Sequence, residues 1–182
     1  MGRRLLIIFI FLVLAWLIVM GQLSLIDSLP GFANKINLIL FFIVLVLFFL
    51  DLDNTLLAAL ALGVFWDIFS FAPFGFNLFL LLVSVFVLHI LLRNWFTNRS
   101  FYTLAALNAL AVTLYGLLSV LLAWLIAALG PDKAVPGLIY WYFWRDLFQE
   151  LIFSTVLSLV FFNLLTILGR RLQPFFLAKG RN

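Results

Sequence analysis

Few residues in this chain could do chemistry, and the most exposed to scrutiny is Asp67. It lies inside a long apolar run, Thr55 to Phe71. A charged Asp near the centre of a membrane helix costs roughly 2.5–3.5 kcal/mol on insertion scales, so such a group faces protein rather than lipid. Ala59, Gly63 and Asp67 are spaced by four and share one helix face. Small residues there let another helix come close. Two roles fit Asp67. It could bind a proton, a cation or a substrate. It could instead be a neutral or paired carboxyl that bonds a neighbouring helix end or loop. The same run holds no second acidic residue, which favours the structural role. On that reading Asn in its place keeps most of the bonding.

A second polar row follows later. Asp146, Glu150, Ser154 and Ser158 recur every four residues, with Arg145 and Gln149 on the adjacent row. The charges fall within two turns of the start of their span, where long side chains reach the interface. This row fits an outward-facing polar vestibule, or a docking face for an extracytoplasmic partner. It equally fits an ordinary membrane-edge belt. On the preceding span, Ala105, Ala109, Gly116, Ser119, Ala123 and Ala127 recur at three, four or seven residues. That stripe suits close helix packing, within the chain or against a partner. His89 reads as a hydrogen-bonded packing residue, and Asn77, Asn108 and Asn163 as interhelical hydrogen-bond donors.

The groupings needed for catalysis are missing. The chain has no cysteine and one histidine, so it has no thiolate site, no disulfide and no metal-ligand spacing. It carries no Gly-rich phosphate loop, zinc-protease helix motif or nucleophile elbow. No acid, base and nucleophile assemble at workable spacing. We expect no enzyme activity and no cofactor.

Composition explains where these residues must sit. Of 182 residues, 67% are apolar and 10% charged, and 23 are phenylalanine. A soluble domain is about 45–50% apolar and about 25% charged, and a chain this short could not hide the excess in a core. A soluble enzyme, a disordered chain and a nucleic-acid-binding domain are all excluded. The 11 Lys and Arg against 7 Asp and Glu form no basic run, so no nucleic-acid partner is implied. The expectation is one transmembrane domain over residues 1–182, an all-α bundle of about six membrane helices in contact with lipid.

A helix needs roughly 20 residues to cross about 30 Å of hydrocarbon. The spans expected are Leu5 to Ile26, Ile36 to Leu50, Thr55 to Phe71, Phe76 to Leu92, Phe101 to Leu129 and Arg145 to Leu168. The first exceeds a signal-peptide core and lacks a good cleavage site, so it reads as uncleaved. Asp27 to Lys35, Arg93 to Ser100 and Gly130 to Lys133 read as breaks, and Gly169 opens a tail. Asp53 or Asn54 is expected to cap the third helix. Rings in Leu138 to Trp144 suit the membrane–water boundary. With six spans and a cytoplasmic N-terminus, Arg3, Arg4, Arg93, Arg99, Arg170, Arg171, Lys179 and Arg181 lie inside. Lys35, Lys133 and Arg145 lie outside. That bias obeys the positive-inside rule and puts both termini in the cytoplasm.

Residues 63–77 read Gly-Val-Phe-Trp-Asp-Ile-Phe-Ser-Phe-Ala-Pro-Phe-Gly-Phe-Asn. Gly63, Asp67 four residues on, and then the Pro73-x-Gly75 turn opening the next span resemble the signature region of the rod shape-determining protein MreD family. Length, span count, a charged short N-terminus and a basic tail are similar too. The resemblance implies a non-enzymatic subunit of the bacterial cell-elongation machinery in the cytoplasmic (inner) membrane. The implied partners are an MreC-like protein and, through it, RodA and a class B penicillin-binding transpeptidase, working with the MreB filament on peptidoglycan. The implied fold is similar to the substrate-binding subunits of energy-coupling-factor vitamin transporters, which supplies the rival function. Such subunits carry an Ala-x-x-x-Ala pair on the first helix. Here Ala15 is flanked at four residues by Phe11 and Val19.

Overall fold

The computed structural model describes residues 2–26, 35–70, 72–95, 101–129 and 141–177. Within them the chain forms six α-helices: α1 (Gly2–Gly21), α2 (Leu38–Phe49), α3 (Leu52–Phe69), α4 (Phe76–Trp95), α5 (Phe101–Leu129) and α6 (Trp141–Leu177). A short π-turn, Gln22–Ile26, follows α1. No strand occurs among the described residues. Three of the helices, α3, α4 and most of α5, are long and apolar enough to cross a membrane. The chain is a helical membrane protein.

The short helix α2 sits at the centre and touches all five others. Its 12 residues reach only about 18 Å, too little for a bilayer. It compensates by burial: Ile39, Leu40, Ile43, Val44 and Leu47 are shut off from the exterior. Around it, α1 packs on α3, α3 on α4, α4 on α5 and α5 on α6. Gly63 of α3 abuts Leu78 of α4. Asn77 of α4 bonds Tyr115 of α5, while Leu88 and Leu92 share a cluster with Leu104 and Leu107. Gly116 of α5 meets Leu147 of α6, and Asn108 meets Ser154. The pairs α3–α4, α4–α5 and α5–α6 therefore run antiparallel. The outward faces carry Trp16, Phe79, Phe86, Leu121, Phe148 and Val160, an apolar coat suited to lipid.

Several boundaries differ from those expected. The third helix begins at Leu52, with Asp51 as its N-cap and no side-chain cap bond. Asp53 and Asn54 are thus already inside its first turn, where their side chains no longer precede the free N–H groups. The fourth helix runs on to Trp95 and the sixth to Leu177. Gly169 is therefore helical rather than the start of a tail, because one glycine costs a helix only about 1 kcal/mol. Of the breaks expected at Asp27 to Lys35, Arg93 to Ser100 and Gly130 to Lys133, residues 27–34, 96–100 and 130–133 lie outside the described residues, and 93–95 are helical.

Two glycines define contrasting contacts. A Cβ on Gly63 would lie 2.7 Å from the Leu78 Cα, part of the backbone of α4. A Cβ on Gly116 would lie 2.6 Å from the Leu147 Cδ1, the tip of a flexible side chain. Gly63→Ala should therefore destabilise by about 1–3 kcal/mol, as overpacking does, while Gly116→Ala should cost far less. Thermal unfolding of both variants in detergent checks this; equal losses would contradict the contrast.

Candidate functional site

The turn between α3 and α4 begins with a backbone problem. The first four N–H groups of a helix have no partner within it, and the start of α4 is partly closed off, with Gly75 and Phe76 half-buried and Asn77 buried. Gly75 occupies the cap position with φ +93°, a conformation that glycine adopts readily and other residues do not. A cap of Asp or Ser, the usual acceptors, is excluded there, so the acceptor must come from elsewhere.

Asp67 supplies it from the last turns of α3. Its Oδ1 accepts from the Asn77 N–H at 2.9 Å. Its Oδ2 accepts from Gly75 at 2.9 Å and from Leu78 at 3.2 Å. The Phe76 N–H donates to the Pro73 carbonyl and the Phe79 N–H to that of Gly75. Every one of the first four N–H groups of α4 is satisfied. The helix N-terminus in turn favours a negative group. Asp67 is buried, and Gly63, one turn earlier, lets α4 come near enough for the bonds to form.

Asn77 extends this unit. Its Nδ2 donates to the Ser70 Oγ at 3.0 Å, and its Oδ1 accepts from the Tyr115 hydroxyl at 2.8 Å. The Tyr115 ring stacks on Trp66 of α3, with centroids 5.7 Å apart and planes 9° from parallel. One carboxylate, one amide and one phenol therefore join α3, α4 and α5.

The start of α2 is held the same way. Gln22 in the π-turn accepts from the Leu38 N–H at 2.9 Å and donates to the Ile36 carbonyl at 3.1 Å. Asn37 caps α2 through the Leu40 N–H at 3.0 Å and donates to Glu150 Oε1 at 2.9 Å. Lys35 pairs with Asp146 at 3.1 Å, and Arg145 approaches the same oxygen at 3.9 Å. Those three charges are partly exposed, so their pairing contributes only about 0–1 kcal/mol.

The residues singled out from the sequence thus fall into groups. Gly63, Asp67, Gly75 and Asn77 form one unit, with Pro73 exposed on its turn. Asp146 and Glu150 face the start of α2, and Ser154 and Ser158 on the same row are buried. Gly116 faces α6, whereas Ala123 on the same stripe is exposed, so that stripe is not a single contact. Asn163 is also exposed and does not act as a donor inside the bundle. His89 is half-buried on α4. Gln22, Asn37 and Tyr115 were missed. Asn37 had a signal, a good capping residue just before an apolar run; Tyr115 had only its hydroxyl in mid-span.

Two apolar surface grooves lie among the described residues. One of about 280 Å³ is lined by Pro73, Phe74, Phe76, Phe79, Leu122 and Ile126. The other, about 290 Å³, lies between α1 and α2 beside Phe11, Phe42 and Phe49. The first borders the Asp67 unit at Gly75, and no polar side chain lines either groove. No family model, curated protein or solved structure matches the chain.

The geometry changes the expectation for Asp67→Asn. Both carboxylate oxygens accept, so an amide must turn its NH2 toward at least one backbone N–H. Unfolding temperatures should fall in the order wild type, Asp67→Asn, Asp67→Leu, the last leaving three N–H groups unpaired at about 1–3 kcal/mol each. An Asn variant as stable as wild type would contradict the account.

Proposed function

We propose that this chain is a non-enzymatic scaffold subunit of the bacterial cell-elongation complex, an MreD-like protein of the inner membrane. It holds an MreC-like partner through its membrane helices, and with it RodA and a class B penicillin-binding transpeptidase. The observation that carries this reading is the unit built by Gly63, Asp67, Gly75 and Asn77. The residues that bear the resemblance are engaged with one another and with the start of α4. Asp67 spends its acceptors on backbone, which suits a framework better than a transport or catalytic site.

A further observation weighs against the vitamin-transporter subunit. The α1 row of Phe11, Ala15 and Val19 is buried within the chain, where α1 packs on α3. That row is therefore not open for docking a transport partner.

The proposed topology is six spans with both termini cytoplasmic. It requires the end of α1 and the starts of α2 and α6 to share the outer side. The bonds from Gln22 to Leu38 and from Asn37 to Glu150 support that arrangement.

Copurification from native membranes in mild detergent, followed by mass spectrometry, tests the function. An MreC-like protein should be recovered with the chain. Saturable binding of a vitamin-sized ligand, with no such partner, would instead favour the transporter subunit. Reporter fusions after Arg99 and after Arg181 should read cytoplasmic, and one at Asp132 external. An external C-terminus would overturn the topology.

A further inference from the structure

Beyond the two clusters, three buried oxygens have no hydrogen-bond partner among the described residues: Ser84 Oγ, Asn108 Oδ1 and Ser154 Oγ. Ser84 is 1% exposed, and Asn108 and Ser154 are 0% exposed. They come from α4, α5 and α6. A buried polar atom without a partner is costly and rare. Thr155 Oγ1 is a fourth such atom, but it lies on the next row of α6.

The register brings the three to one level. Asn77 of α4 bonds Tyr115 of α5. Ser84 is seven residues after Asn77, and Asn108 is seven before Tyr115. On antiparallel helices both steps are two turns in the same direction, on nearly the same face. Ser84 and Asn108 are therefore placed at one level of the α4–α5 seam. Asn108 also donates from Nδ2 to the Ser154 carbonyl at 2.6 Å, which places its free Oδ1 beside the start of the Ser154 side chain.

We propose that Ser84, Asn108 and Ser154 bind one internal water molecule that ties α4 to α6 through α5. The donor and acceptor count suits it. The water donates to Asn108 Oδ1, which can only accept, and accepts from the two hydroxyls. Three bonds are typical for a buried water. A cation suits the set less well, because all three oxygens are neutral. Glu150, one turn along α6, is already bonded to Asn37, and an uncompensated charge at this depth is costly. The water gives α6 a hold on α4, since its direct packing is chiefly on α5 and to a smaller extent on α2.

Ser84→Ala, Ser154→Ala and the double variant of the full chain test this by thermal unfolding in detergent. Each single variant should lower the unfolding temperature by about 2–4 °C, the shift expected for the loss of one buried hydrogen bond in a chain of this size. The double variant should lose little more than the larger single, because both changes release the same water. If the hydroxyls are unpaired or bond their own helix, each alanine leaves the temperature unchanged or raises it, and the proposal fails. Additive losses would also overturn it, since they mean two separate sites. The same measurement in sodium and in choline chloride should agree; a rise specific to sodium would replace the water with a cation. High-resolution density between the three oxygens is the second readout, and its absence would contradict the site.

Discussion

A helix whose first N–H groups are withdrawn from water needs other acceptors, and each one left unpaired costs about 1–3 kcal/mol. Two helices of this bundle, α4 and α2, have that problem. For α4 the acceptor is the Asp67 carboxylate, reaching from the preceding helix. For α2 it is the pair Gln22 and Asn37. The placement of Gly63, Gly75, Asn77, Glu150 and Tyr115 follows from those two needs. Gly63 permits the approach, Gly75 makes the turn, and the others tie each capped end to α5 or α6.

This constraint also accounts for the central short helix. A 12-residue helix cannot cross hydrocarbon, yet α2 has neighbours on every side and a polar clamp at its start. Its length is set by the bundle rather than by the bilayer. The outer helices face the opposite demand, and their exposed Phe, Leu and Trp side chains suit lipid or a membrane partner. In the proposed scaffold role the polar atoms serve the interior, which leaves the apolar exterior for recognition.

Much of this was legible in the residues, and the rest was not for physical reasons. Composition and run length marked a helical membrane chain, and the bounds of α5 could be read directly. The four-residue spacing of Gly63 and Asp67 identified an inward face, and a helix end or loop was the expected partner of Asp67. Which amides it binds depends on the positive φ of Gly75, and that turn shape is not written in spacing. The expectation that Asn keeps most of the bonding did not anticipate that both oxygens accept. The cap expected at Asp53 or Asn54 moved to Asp51 because periodicity locates a helix end only to within a residue or two. Ala123 shared a stripe with Gly116 but is exposed, whereas Gly116 meets Leu147 of α6. Asn37 and Gln22 fall inside the expected spans and were given no role there, since their use depends on two distant segments meeting.

The claim on which the account rests is that Asp67 holds the start of α4. Hydrogen exchange of the backbone amides of Gly75, Asn77 and Leu78, in wild type and in Asp67→Leu, tests it most directly. The account predicts strong protection of these amides in wild type. In the variant it predicts fast exchange confined to this turn, with the core of α2 still protected. Fast exchange at these positions in wild type, or protection there unchanged in the variant, would contradict it.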